Sequence, residues 1–428
     1  MTQETRDYIR DNADADVRQL ALQGAKASGV DLPFALDQIA GRQVARRKLP
    51  TWASIDGIVY PPHLPMEQCS SEATARYKER FVSDMDCHRM VDLTGGFGVD
   101  FAFMAQAVVR SAAGREPTRL VYVEQQEQLC ETASHNFPLM GMQQVEVVCG
   151  NGVDYLRQTS QHFDLVYIDP ARRDVHGNRT YALSDCTPNV LDIHDQLLEK
   201  ADRVLLKLSP MLDWHKAVND LGPQYVSEVH IVAVENECKE LLVLLERNAE
   251  KAEGTFSLHC INLLPDGTSQ DFVCSPSTIH HPLSTIHHPL STFLYDPNAS
   301  VMKSGCFAEG ARRYGISPLA PNSHLFVAAD FVDDFPGRIF RIDAVTTLNK
   351  RELKEHLNGI TQANIAVRNF PLSVAELRKR LKLGEGGSTY IFATTLASGD
   401  RVLLVCRKAV AYESLSPSLS KSLISWHL

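Results

Sequence analysis

The sequence predicts an α/β protein. Its centre is a Rossmann-like parallel sheet closed by an antiparallel hairpin, preceded by a helical region and followed by smaller α+β units. Three observations carry that prediction. Between Met90 and Leu208 the apolar runs MVDLT, RLVYVE, VEVVCG, FDLVYID and RVLLKLS alternate with amphipathic stretches, the pattern of βαβ units on a parallel sheet. Two β-rich runs, EVHIVAVEN and ELLVLLE, then follow a few residues apart, which suits a hairpin. Lastly, the first run ends in a glycine-rich turn, TGGFG, ahead of a helical pattern.

Composition bounds the rest. The chain has 428 residues, 44% hydrophobic and 22% charged, with a net charge of −9. That length exceeds one compact core and asks for several domains. No apolar run approaches the roughly 20 residues that span a bilayer. The start, MTQETRDYIRDNADADVR, is polar and acidic and does not read as a signal peptide. Ten scattered cysteines with no C-x-x-C pair argue against a zinc ribbon or a disulfide framework. The expectation is a cytoplasmic protein with reduced thiols, no structural metal and no membrane partner.

Taken in order, residues 1–82 read as a helical region, with Val17, Leu20, Ala21 and Ala25, and then Leu36, Ile39 and Val44, at helical spacing. A basic cluster follows at Arg42, Arg46, Arg47 and Lys48. Ser70 or Ser71 then caps a helix expected to carry Ala73, Tyr77 and Phe81 inward. Residues 83–248 hold the sheet, with helices expected at 98–110, 126–137, 152–160 and 188–200. Residues 255–336 read as a small α+β region. It contains STIHHPL twice in tandem, at 277–283 and 284–290. The four histidines lack fixed partners within the repeat, so it reads as a duplicated surface loop and not as a metal site. Residues 337–410 form a last unit: a helix at 349–358, the strand ANIAVRNF, the basic helix SVAELRKRLKL started by Ser373, and the strand pair TYIFATTL and RVLLVCRK. Residues 411–428, rich in serine, read as a frayed tail.

The candidate site follows from the strand ends. Asp92 ends the first strand and leads into Thr94, Gly95, Gly96, Phe97 and Gly98, where glycines let the backbone turn tightly beside a ligand. Such a turn suits NAD, FAD or S-adenosylmethionine. Glu124 ends the second strand, placed to accept two hydrogen bonds from a ribose diol. Asn151 and Gly152 end the third, where methyltransferases hold the adenine edge. Asp169 and Pro170 end the fourth. Ligands of open parallel sheets bind at these carboxyl ends, and four of them here carry polar or glycine residues in order.

At the fourth strand end, enzymes that methylate an exocyclic base amine use Asp or Asn, then Pro-Pro and an aromatic. This chain has Asp169-Pro170-Ala171-Arg172-Arg173. The acceptor and proline are kept, but arginines stand in place of the stacking aromatic. A D-P-A-R run also occurs in RNA uracil-C5 methyltransferases, whose nucleophilic cysteine follows the fifth strand. Here that place holds KLSP, and without a thiol the covalent route does not apply. Asp169, Pro170 and Arg172 are the candidate catalytic residues, with Asp169 orienting or deprotonating a nitrogen nucleophile. Arg173 would share with Arg172 the holding of a phosphate or carboxylate, the alternative for both being a surface ion pair. Lys207 and Ser209 are further candidates for substrate contact.

The runs EQCSSEATARYKERF, VDLTGGFGVD, YIDPARRD, KLSPMLD, NECKELLVLLE, FPGRIFRI and AVRNFPLSVAELRKRLKLGEGGSTYIFATTL together resemble bacterial class I methyltransferases with a C-terminal THUMP-like domain. The resemblance spans nearly the whole chain. It implies an N-terminal helical region, a methyltransferase sheet, a ferredoxin-like region and a THUMP-like unit. It also implies S-adenosylmethionine as methyl donor, with Asp92, Gly95, Gly96, Gly98, Glu124 and Asn151 in cofactor positions. It names no substrate.

The leading functional expectation is methylation of a base nitrogen in structured RNA such as tRNA or rRNA. A protein or small-molecule acceptor, and a non-catalytic cofactor-binding module that grips RNA, are the alternatives. An NAD enzyme falls short, because no hydride-transfer residue set stands out. The C-terminal unit would dock RNA through Arg368, Asn369, Arg378, Lys379, Arg380 and Lys382. Residues 338–382 hold ten Lys or Arg against four Asp or Glu, so an acidic chain carries a local basic patch suited to phosphates.

Overall fold

The computed structural model describes residues 1–24, 29–111, 118–172, 182–247, 255–276, 292–320 and 322–409. The duplicated STIHHPL segment, the tail at 411–428 and Arg173 lie outside the described residues. The chain divides into two compact units, one of residues 1–234 with 239–256, the other of residues 235–238 with 257 onward. No described helix is long and apolar enough to cross a membrane.

In the first unit, six helices among the described residues come before the sheet: α1 (Gln3–Asp11), α2 (Val17–Gln23), α3 (Leu32–Lys48), α4 (Pro50–Ala53), α5 (His63–Gln68) and α6 (Glu72–Ser83). Thr2, Asp16, Asp31 and Ser71 cap four of them, each side chain accepting a hydrogen bond from a first-turn amide. Of the α6 residues expected to face inward, Tyr77 and Phe81 are half-buried against the His230 ring, but the deepest face is another one. Ala73 is exposed, whereas Thr74, Ala75, Lys78 and Val82 are buried. A lysine faces the core because it finds carboxylates there.

The sheet strands are β1 (Arg89–Asp92), β2 (Arg119–Glu124), β3 (Val145–Cys149), β4 (Phe163–Ile168), a short pair β5 (Ala171–Arg172) and β6 (Cys186–Thr187), β7 (Ala201–Leu208), β8 (Val226–Val234) and β9 (Glu237–Glu246). The helices α7 (Val99–Ser111), α8 (Glu127–Leu139), α9 (Gly152–Gln158), α10 (Val190–Lys200) and α11 (Trp214–Leu221) lie between them in sequence. Strand order is β8-β9-β7-β4-β1-β2-β3. The β3-β2-β1-β4-β7 part is parallel, and β9 runs antiparallel to β7. Glu235 and Asn236 join β8 to β9 at φ 50° and 67°, a two-residue turn whose twist suits a hairpin. The strand order reverses between β1 and β4, so the crevice beyond their carboxyl ends is where this architecture binds ligands. The helices of residues 1–82 belong to this same compact unit, and α6 packs on α7.

The second unit has the hairpin β10 (Ser257–Leu263) and β11 (Ser269–Cys274), then β12 (Phe293–Pro297), α12 (Ala299–Ser304), α13 (Phe307–Tyr314), β13 (Ser317–Pro318) and β14 (Phe326–Ala328). After these come β15 (Gly337–Thr346), α14 (Lys350–His356), β16 (Asn364–Arg368), α15 (Val374–Leu381), β17 (Thr389–Thr395) and β18 (Arg401–Lys408). One seven-stranded sheet, ordered β13-β14-β12-β15-β18-β17-β16, joins the strands from β12 to β18. Residue 337 is therefore no boundary between sheets: β12 satisfies its edge by pairing with β15. Ser373 starts α15 as a full capping box with Glu376. Cys274 and Cys306 form a disulfide, which corrects the expectation that every thiol is reduced. The fold brings together two cysteines 32 residues apart, a pairing that spacing alone does not reveal.

Candidate functional site

A cavity of about 990 Å³ opens at the carboxyl ends of β1, β2, β4 and β7, at the upper end of the range for ligand sites. The glycine turn, Glu124, Asn151, Gly152, Asp169, Pro170, Lys207 and Ser209 all line it. The N-terminal region adds Pro65, Gln68, Cys69 and Ser70, which sequence reasoning had not linked to the site.

Each strand end is fixed by its own hydrogen bonds. Buried Asp92 accepts the Thr94 amide at 2.8 Å and the Thr94 hydroxyl at 3.3 Å. Burial pushes its carboxyl up to about 8, against the opposing pull of the Thr94 amide. The same Thr94 Oγ1 accepts the Asp169 amide at 2.7 Å. Glu124 uses both oxygens within the fold, taking the Gly96 amide and the Gln126 amide at 2.8 Å each. It thus braces the turn while its remaining lone pairs face the cavity. A β-carbon at Gly95 would run into the ring of Tyr122, whose hydroxyl donates to the Gly96 carbonyl. Gly96 sits at φ 58°, the left-handed region that favours glycine, so the residue keeps the cradle turned.

Two expected cofactor contacts have different settings. The Phe97 ring is buried and packs edge-on against Trp52 at 5.0 Å, anchoring the turn to the N-terminal helices. The Asn151 Oδ1 caps α9, accepting the amides of Val153 and Asp154 at 2.8 and 3.2 Å. Gly98 ends the turn, and Gly152 starts α9 against Leu93.

Asp169 is 38% exposed, and its Oδ2 takes a hydrogen bond from Lys207 Nζ at 2.5 Å. Lys207 also reaches Asp100 Oδ2 at 3.2 Å and Ser70 Oγ at 3.1 Å. Burial works against its charge, but Asp169, Asp100 and Glu240 raise it well above the ordinary lysine value. Asp100, in the first turn of α7, also accepts from Ser70 Oγ at 2.7 Å and Tyr167 at 2.8 Å. Behind it, wholly buried Lys78 lies 3.2 Å from Asp100 Oδ1 and 2.6 Å from Glu240. Burial would raise the Asp100 carboxyl, yet the two ammonium groups and the hydroxyls hold it well below the usual carboxylate range. Glu240 stays raised by burial. The signal for these residues was present: charges at core positions of apolar patterns, Asp100 in VDFAFMA and Glu240 at the head of ELLVLLE.

The remaining candidates are distributed as follows. Arg172 lies in β5, paired with Cys186; its side chain is outside the described residues. Ser209 Oγ accepts the Met211 amide at 3.3 Å. In the second unit, Arg368 pairs with buried Asp296 at 3.1 Å, and Arg378 donates to the carbonyls of Gly384 and Ala363. Asn369 takes φ 52°, its carbonyl accepting from Thr395. Lys379 and Arg380 are exposed.

Comparison with known proteins decides the family. The chain is 32% identical to a protein described as a "putative methyltransferase" from Porphyromonas gingivalis W83. The match has a TM-score of 0.82 and covers 94% of this chain and 97% of that one. The chain belongs to this family of class I methyltransferases. Residues 337–408 match a THUMP domain-like family and residues 293–336 a ferredoxin-like domain family. An O-methyltransferase from Bacillus cereus in complex with SAH overlaps it at TM-score 0.32 and 12% identity, over 48% of this chain and 90% of that one. A protein from Listeria monocytogenes described as a "putative class I S-adenosylmethionine-dependent methyltransferase" overlaps it at TM-score 0.35 and 10% identity, over 57% and 88%. No curated protein matches the chain in sequence. The site fits the family's cofactor: a glycine cradle, a carboxylate at the second strand end, and one cavity lined by both.

Proposed function

We propose that this methyltransferase moves the methyl group of S-adenosylmethionine to a base nitrogen of structured RNA such as tRNA or rRNA. The observation that carries the reading is Asp169. It shares one cavity with the glycine cradle and Glu124, and Lys207 binds one of its carboxylate oxygens. The other oxygen is left to accept an N–H and aim the nitrogen lone pair. The cradle, Asp92, Glu124 and the Asn151-Gly152 corner would hold the cofactor. That molecule supplies a methyl on a positively charged sulfur, already activated for displacement. Alignment can then contribute up to roughly 7–11 kcal/mol of the barrier.

The RNA part of the reading is supported by the match of residues 337–408 to THUMP-like domains and by exposed Lys379 and Arg380 in a locally basic segment. A protein or small-molecule acceptor is the second reading. It is favoured by the aromatics of the described cavity wall, Phe97 and Tyr167, both of which are buried and so offer no face for a base to stack on. Tritiated methyl incorporation into RNA, protein and metabolite fractions separates the two. Counts in RNA that vanish with Asp169→Ala, while cofactor binding persists, support the first reading. Counts confined to another fraction refute it. Mass spectrometry of nucleosides from a deletion strain then names the modified base.

A further inference from the structure

Several runs of the sequence that the cofactor cradle leaves unexplained meet beneath Asp169. Ser70 and Lys78 come from the N-terminal region, Asp100 from α7, Tyr167 from β4, Lys207 from β7 and Glu240 from β9. Among these, Lys78, Glu240 and Asp100 are 0%, 3% and 8% exposed. Burying so many charges does not favour stability: apolar groups of similar volume serve as well or better. Together their hydrogen bonds and ion pairs form one continuous chain that ends on Asp169. Glu240 holds Lys78, Lys78 and Ser70 hold Asp100, Asp100 and Ser70 hold Lys207, and Lys207 holds Asp169 Oδ2.

We propose that this array is a positioning device for Asp169, so that the segment from Ser70 to Lys78 belongs to the reaction centre and is no separate accessory. An isolated aspartate side chain at a cavity edge rotates and presents either oxygen. With its ammonium anchored on Asp100 and Ser70, Lys207 takes one oxygen in a fixed direction and leaves Oδ1 for the acceptor nitrogen. Asp100 is the hub, its Oδ2 meeting Ser70, Tyr167 and Lys207 and its Oδ1 facing Lys78. Lys207 and Asp100 are positioning residues; they act through Asp169. The charged groups around Lys207 are Asp169, Asp100, Glu240 and Lys78, with Asp92 neighbouring both Asp100 and Asp169. The inference deepens the methyl-transfer reading and rests on it.

The test uses the full chain, tritiated S-adenosylmethionine and RNA from a strain lacking the gene. Calorimetry measures cofactor binding on the same samples, and circular dichroism checks the fold. Lys207→Met is expected to lower kcat about 100-fold, the cost of a misplaced reacting group, with cofactor affinity within about twofold of wild type. KM for the RNA should stay within about twofold, so that the loss falls on kcat and not on substrate binding. Lys207→Arg should recover about tenfold of the loss, and Asp100→Asn should reproduce a partial loss of the same kind. Lys207→Gln replaces the Met variant if the latter does not fold. A wild-type kcat in Lys207→Met overturns the proposal, and so does a loss of cofactor binding in that variant or a Lys207→Arg variant no better than Lys207→Met. A wild-type protein that labels no RNA, protein or metabolite overturns the methyltransferase reading itself, and this inference with it.

Discussion

The pair formed by Lys78 and Glu240 offers a quantitative test. The Lys78 ammonium lies 2.6 and 2.7 Å from the two oxygens of Glu240 across 162 residues of chain, and the lysine side chain has no solvent exposure. Lys78→Met removes the ammonium and strands a carboxylate that is 3% exposed. Breaking a buried pair by deleting one partner costs about 3–5 kcal/mol. In a unit of this size each kcal/mol moves the melting point by roughly 2–4 °C, so a fall of about 6–20 °C is expected. Lys78→Met with Glu240→Leu removes both charges and should recover most of the loss, since Asp100 keeps Lys207. Trp52 and Trp214 are both buried in the first unit, so with Trp426→Phe as the background, tryptophan fluorescence during thermal or urea unfolding reports on that unit. A loss under about 1 kcal/mol for Lys78→Met, or a double variant as unstable as the two single losses summed, would refute the claim that the pair is buried and mutually dependent.

Asp92 gives a pH test with a definite sign. Its carboxyl is raised to about 8 in the folded protein, so between roughly pH 4 and 8 the native state binds a proton that the unfolded chain has released, and stability falls as pH rises. Asp92→Asn should therefore gain stability over wild type by up to about 1.4 kcal/mol per pH unit across that window, with no gain below it; equal unfolding midpoints at pH 8 would contradict this. Gly95→Ala forces a methyl into the Tyr122 ring, which should cost about 1–3 kcal/mol and weaken cofactor binding by calorimetry. Lys379→Glu with Arg380→Glu should weaken RNA binding and flatten its salt dependence, whereas Arg368→Ala should instead lower the stability of the second unit by stripping a partner from buried Asp296. RNA affinity unchanged by the double charge reversal would remove α15 from the docking surface.

Much of this site was legible in the sequence because strand ends are local. A run such as RLVYVE places Glu124 at a carboxyl end whatever surrounds it, and TGGFG can only be a turn. Partnership is a different matter. Nothing within α6 says that Lys78 turns inward, since its reason sits in β9. Phe97 reads as a residue of the cofactor loop, but its ring follows Trp52 into the core. Arg368 sits in a basic stretch, while its counter-charge, Asp296, lies 72 residues earlier. The shared sheet of the second unit was hidden for the same reason: β12 and β15 match different families, and pairing respects hydrogen-bonding edges more than family limits.

The Thr94 hydroxyl has a thermodynamic consequence. It takes the Asp169 amide at 2.7 Å and leans on Asp92 at 3.3 Å, so one side chain ties the glycine turn to the Asp169 peptide. A molecule that shifts the turn also tilts the peptide that aims Asp169. If donor and acceptor bind as proposed, filling one half of the cavity is expected to alter the affinity of the other, and linkage requires the factor to be the same in both directions. Spent donor left in the cradle would then change how tightly the modified product is held.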